Sequence, residues 1–155
     1  MSNTAVMAFG EETTSKVAAT IASKLNADLI VNEKMLDGAT VVVAGTHVRM
    51  GKFNKRYIRF VKKYAAKVRI YTFIVGAEIE KKQKYVDLAE TLSGGKAWYV
   101  WGELNANKAK GLKKFALQAF IDGRRQDGLP TPRLLDKEIA ALCREVMLEN
   151  QITEK

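Results

Sequence analysis

The sequence predicts an α/β protein, a doubly wound sheet of five parallel strands in the order 2-1-3-4-5, built as one domain from residues 1–155. Three observations predict it. Short apolar runs alternate with segments of helical periodicity, the pattern of parallel strands joined by right-handed crossovers. The clearest run, ATVVVAG (39–45), is apolar and β-branched without alternation, as a strand covered on both faces requires. The last third is mostly helical, which supplies cover for both faces of a single sheet. In such a sheet a ligand sits beyond the carboxyl ends of the strands, so the candidate site loops are 10–15, 45–53, 76–80 and 102–107.

TAVMAF (4–9) is too short for a helix and suits a buried first strand. Val17, Ala18, Ile21, Ala22 and Leu25 then fall on one helical face, with Lys16, Ser23 and Lys24 largely opposite. ADLIV (27–31) is the second strand, followed by the polar turn NEKMLDG, and ATVVVAG is the third, ended by glycine. NKRYIRFVKKYAAK (54–67) is helical through Tyr57, Ile58, Val61, Tyr64 and Ala65, with cations on the remaining face. VRIYTFIVG (68–76) is the fourth strand. Ile79, Val86, Ala89 and Leu92 carry the next helix, which Ser93-Gly94-Gly95 ends, and KAWYVWG (96–102) is the fifth strand. Leu112, Phe115, Ala116, Ala119 and Phe120 mark a helix, with DGRRQDGLPTP as the loop after it. Leu135, Ile139, Leu142, Val146 and Met147 mark the last helix, with Pro132 at its start.

Composition excludes several classes. One cysteine, Cys143, rules out an internal disulfide framework and reads as a core thiol on the last helix. No His/Cys cluster suggests a metal, and no apolar run approaches the ~20 residues that span a bilayer. The start, MSNTAVMAFGEETT, lacks a secretory pattern, so Met1 is expected to begin the mature domain in a reducing, cytoplasmic setting. The formal charge of +9 points to an anionic partner. Lys108, Lys110, Lys113, Lys114, Arg124 and Arg125 are either a surface that leans on the inner face of an anionic membrane or the solvated side of a packed helix. Nucleic acid is not expected, because the cations are spread over several helices and no binding signature occurs.

VVVAGTHVRMGKFNKRYIRFVKKYA (41–65) carries a family resemblance through Gly45, Arg49, Gly51 and the run Phe60-Val61-Lys62-Lys63. It is similar to the strand, the G-[AST]-x-[IV]-R-x-G-x-[FHY] loop and the basic FVKK helix of flavodoxin-domain proteins of the menaquinone-dependent protoporphyrinogen dehydrogenase type. TTSKVAATIASKL (13–25) resembles the helix that follows that family's phosphate loop, and order and spacing match over nearly the whole chain. The resemblance implies a flavodoxin-like fold and FMN as cofactor, a flavin that passes electrons between an organic substrate and a quinone or redox partner. It places the phosphate at Thr13, Thr14 and Ser15. The ring falls between Thr46, His47, Val48, Arg49, Met50 and Gly51 on one side and Gly76 and Ala77 on the other. It assigns no catalytic residue.

One stretch departs from the pattern. Flavodoxin phosphate loops resemble [ST]-x-T-G-x-T, and aligning Thr14 with the last threonine puts Phe9, Glu11 and Glu12 at the Ser/Thr, Thr and Gly positions. A carboxylate ~4 Å from a phosphate charge costs about 4 kcal/mol at an effective dielectric near 20. A helix dipole returns only ~0.3–1 kcal/mol. FMN therefore requires both carboxylates to face outward. The alternative is a non-enzymatic flavodoxin-like module that has lost FMN and binds another anion or a protein.

The remaining site residues each have two readings. His47, the single histidine, is a flavin donor or proton relay, or a loop histidine without a task. Arg49 and Lys52 stabilise an anionic flavin or substrate, or belong to a solvated basic loop. Met50 and Phe53 cover the ring or join the core, and Trp101 stacks on it or packs against a helix. Glu78 faces the third loop or acts as a first-turn helix acid.

Overall fold

The computed structural model describes residues 3–10, 12–36, 38–101, 111–128 and 135–153. Among the described residues six strands form: β1 (Thr4–Phe9), β2 (Asp28–Ile30), β3 (Val41–Arg49), β4 (Lys52–Phe53), β5 (Arg69–Val75) and β6 (Ala97–Tyr99). Five of them run parallel in the order β2-β1-β3-β5-β6, and β4 turns back antiparallel on the end of β3. With β4 set aside, this is the predicted 2-1-3-4-5 order. The helices are α1 (Glu12–Leu25), α2 (Lys55–Tyr64), α3 (Lys82–Ser93), α4 (Gly111–Gln126) and α5 (Asp136–Thr153).

Alternation along each strand divides the core into two layers. Ala5, Met7 and Phe9 of β1, Val42 and Ala44 of β3, and Ile70 and Ile74 of β5 pack with Tyr57 and Phe60 of α2 and Tyr85 and Ala89 of α3. Val6, Val41, Val43, Tyr71 and Phe73 face the other way, onto Val17 and Ile21 of α1 and Ile139, Leu142, Cys143 and Val146 of α5. Register enforces the division: Val6 pairs with Val43, and Val43 with Tyr71. Gly45 lies in this second layer, where a Cβ would fall 1.9 Å from the Phe73 ring. Beneath α2, the Tyr57 hydroxyl hydrogen-bonds Thr72 Oγ1 at 2.7 Å, and burial pushes its pKa up to about 12.

Five assignments depart from the sequence reading. Residues 46–49, expected as loop, extend β3 and return through β4, because Thr46 and Val48 are β-branched and Met50-Gly51 makes a two-residue turn. The segment 122–126, also expected as loop, continues α4, which ends before Gly128 at φ +72. Ile79 belongs to a short 3₁₀ turn (Ile79–Lys81) ahead of α3, and Met147 is 44% exposed while Ile139, Leu142 and Val146 of α5 are core. Ala65, placed on the apolar face of α2, is exposed, and Phe60 takes that role. Pro132 lies outside the described residues, as do the side chains of Leu112, Phe115 and Ala116.

Candidate functional site

The chain leaves β1 for β2 on one side and then crosses to β3 on the other. The crevice between the carboxyl ends of β1 and β3 is therefore the topological switch point, where open α/β sheets take their ligands. Gly10 follows β1, and the first turn of α1 carries Thr13, half-buried, Thr14, buried, and Ser15, exposed. Across the crevice β3 presents Thr46, fully buried, and His47, half-buried.

These groups crowd one point. A Cβ on Gly10 would lie 2.6 Å from both His47 Nδ1 and Thr14 Oγ1, so glycine is the residue that fits. His47 Nδ1 is itself buried and makes no hydrogen bond within the protein. Burial lowers the imidazole pKa, the Phe9 carbonyl opposes that, and the Arg56 charge adds to the lowering. Burial and the Arg56 charge thus disfavour the protonated ring, and Nδ1 meets no well-aligned hydrogen-bond partner among the described residues. Buried polar atoms are nearly always hydrogen-bonded, so this one stands out in the crevice.

The β3–β4 hairpin forms the second wall. The Thr46 hydroxyl donates to the His47 carbonyl at 3.0 Å and accepts from the Asn54 amide at 3.0 Å. Asn54 in turn caps α2, its Oδ1 accepting from the Arg56 amide at 2.8 Å. Val48 pairs with Phe53, and exposed Arg49 with exposed Lys52. Met50 at φ +53 and Gly51 at φ +75 make the tip, the two positive angles that a type I′ turn needs. Phe53 is core, edge-on to Tyr57 and tilted against Tyr85, while Met50 is 93% exposed.

The third wall, residues 76–81, is held from three directions. Trp101 Nε1 donates to the Ala77 carbonyl at 3.0 Å, and the Tyr99 hydroxyl donates to the Glu78 carbonyl at 3.0 Å. The Arg124 guanidinium donates to both oxygens of Glu80, at 2.9 and 3.2 Å, and keeps that carboxyl below the ordinary range. Gly76 is buried against Tyr99 and Ala77 is half-buried. Trp101, at φ +52 and 3% exposed, is a packing residue and not a stacking platform. Arg124, expected on a basic surface, is buried at 5% exposure. Sequence spacing carries no signal for this pair, whose members stand 44 residues apart.

The structure thus brings Thr13, Thr14, Thr46 and His47 to one crevice and fixes Gly76 and Ala77 on its own loop. Arg49, Met50 and Gly51 stand at the exposed hairpin tip. Glu78 stands at the N-cap position of the 3₁₀ turn without a side-chain capping bond and pairs with Lys81 at 3.3 Å. Glu11, the loop 102–107, Lys108 and Lys110 lie outside what the structure describes, as do the side chains of Glu12, Lys113 and Lys114. Among the described residues no group of three or more His, Cys, Asp or Glu is placed to hold a metal, and no helix is long and apolar enough to cross a membrane.

Strand order and switch point define a flavodoxin-like α/β fold. No known protein family matches the chain, and no characterised protein matches its sequence. Among solved structures, it is similar to rubredoxin oxygen:oxidoreductase from Desulfovibrio gigas, with 12% identity, a TM-score of 0.49 and 76% of this chain covered. The chain spans 34% of that protein's length. It is also similar to a candidate flavoprotein from Bacteroides eggerthii, with 12% identity, a TM-score of 0.46 and coverage of 77% of this chain and 96% of that one. A response regulator from Burkholderia multivorans follows at 10% identity and a TM-score of 0.38, covering 86% and 100%. At these values the likenesses carry no weight beside the strand order itself.

Proposed function

We propose that this chain is an FMN-binding oxidoreductase or electron-transfer protein, similar to the quinone-linked protoporphyrinogen dehydrogenase type. The observation that carries the reading is the buried, unpartnered His47 Nδ1 beside Gly10 and Thr14 at the switch point. An imidazole whose Nδ1 lacks an aligned partner suits a polar ligand atom, and the first turn of α1 beside it suits an anionic one. Thr13 and Thr14 would hold the phosphate through hydroxyls and helix amides, with His47 as the neighbouring donor. Residues 46–51 and 76–77 would flank the ring. FMN, when bound, supplies the hydride and electron transfer, while the protein supplies position and electrostatics. The ties from Tyr99, Trp101 and Arg124 set the third wall in place before any ligand arrives, which lowers the ordering cost of binding.

The same crowding supports a second reading, a flavodoxin-like module that does not take FMN. His47 already leans on the turn where a phosphate would rest, and Glu11 and Glu12 add negative charge to that loop. Purification distinguishes the two. Yellow protein whose flavin absorbance survives gel filtration supports the first; colourless protein that fails to bind added FMN supports the second. In the second case, Glu11→Thr with Glu12→Gly should restore FMN affinity if charge and shape were lost there, and no gain would contradict that cause.

A further inference from the structure

The basic charge is dense along the β3–β4 hairpin and α2. Residues 49–67 contain eight cations and no acid. On α2 the buried residues are Tyr57, Phe60 and Val61, and Lys55, Arg56, Arg59, Lys62 and Lys63 are all exposed. Lys63 pairs with Glu33 at 2.9 Å. Arg59 stands near enough to help hold the Glu33 carboxyl below its ordinary range, while Lys55, Arg56 and Lys62 form no ion pair with a carboxylate among the described residues. Arg59 has four cationic neighbours three or four positions away, contacts that oppose the helix. Lys55 and Arg56 occupy the helix N-terminus, where the macrodipole disfavours positive charge. Lys62 and Lys63 suit the last turn of the helix, but Lys55, Arg56 and Arg59 crowd its start against the dipole, so local stability does not account for them.

A second observation lies five residues upstream. Met50 is 93% exposed at the hairpin tip and held at φ +53, a conformation that costs a non-glycine residue. Asparagine is the ordinary occupant of that turn position. An apolar side chain set out in solvent on a strained tip, beside exposed Lys52 and the start of the α2 stripe, is unexplained by packing. Strain of this kind collects at functional positions.

We infer that the β3–β4 hairpin and the outer face of α2 form a docking surface for an anionic lipid membrane, with Met50 entering the headgroup boundary and the α2 cations resting on the lipid charge. Lipid fits better than nucleic acid because the face offers no open aromatic for base stacking: Tyr57 and Phe60 are buried, and Tyr64 is half-buried beside Lys63 and Lys67. The surface differs from the α4 cations considered from sequence, since Arg124 is consumed by Glu80. It does not depend on what occupies the crevice, so the inference stands or falls apart from FMN binding.

The test is co-sedimentation of the full chain, without added flavin, with vesicles of phosphatidylcholine alone and of phosphatidylcholine doped with phosphatidylglycerol. Binding is expected only to the anionic vesicles and should weaken at high salt. Arg59→Gln with Lys62→Gln should lower the partition coefficient roughly 25-fold, about fivefold per cation. Met50→Asn should weaken it several-fold. Both variants relieve local strain or repulsion and should unfold at the same or higher urea concentration, so lost binding cannot be lost folding. Equal binding to neutral and anionic vesicles, no binding to either, or unchanged binding by Met50→Asn would overturn the proposal. So would a DNA duplex that binds more tightly than the anionic vesicles at the same salt concentration.

Discussion

The contact between Gly10, Thr14 and His47 is the most exacting feature of the crevice, and Gly10→Ala tests it. The added methyl would meet His47 Nδ1 and Thr14 Oγ1 at 2.6 Å, where ordinary contacts begin at 3.4 Å. Thr14 is buried in the first turn of α1 and cannot move away freely. Overpacking on this scale costs ~1–3 kcal/mol. With a urea slope of ~2 kcal/mol per molar, the midpoint should fall by roughly 1 M. The assay is equilibrium urea unfolding followed by tryptophan fluorescence, repeated in a His47→Ala background. Removing the imidazole eliminates one of the two clashes, so Gly10→Ala should cost about half as much there, a coupling of ~1 kcal/mol. An unchanged cost in that background would show that His47 does not lean on the turn. No cost in the wild-type background would refute the packing of the whole crevice.

Three further outcomes follow from the geometry. His47 has a lowered pKa in the folded state, so the unfolded chain binds its proton first as pH falls; His47 should favour folding fully above pH ~6.5 and lose that contribution progressively below it. His47→Gln should flatten the stability profile over that window, as measured by unfolding at several pH values. Tyr57→Phe should cost ~1–2 kcal/mol by leaving the Thr72 hydroxyl buried without its partner, and adding Thr72→Val should recover part of that loss in the same urea assay. Arg124→Met removes both hydrogen bonds to Glu80 and should destabilise by ~1–3 kcal/mol, while the Glu80 carboxyl titrates back in its ordinary range by NMR.

The fold was legible because its signals are local and repeated. Val41 to Ala44 have no polar alternation, so they must be covered on both faces, and the helical stripe at Val17, Ala18, Ile21 and Ala22 says what covers one of them. The β3–β4 hairpin was less legible, because Met50-Gly51 offers only half of the usual turn signal and the returning strand is two residues long. At the site, the loop addresses followed from strand order, and Thr14 and His47 fell within them. What no spacing could carry is which long-range partner a side chain finds. Arg124 reads as one cation among many until α4 sets it against Glu80, and Trp101 reads as a stacking candidate until its N–H is seen on the Ala77 carbonyl. The unpartnered state of Nδ1 is likewise a property of three elements meeting, not of any one of them.

The claim that an FMN site lies between β1 and β3 is tested most directly by titrating FMN into flavin-free protein while following the ring protons of His47, the single histidine of the chain. The account predicts saturable binding, with the His47 signals shifted and its pKa raised as the phosphate charge arrives beside it. Failure to bind, or binding that leaves the His47 signals and pKa unchanged, would contradict it.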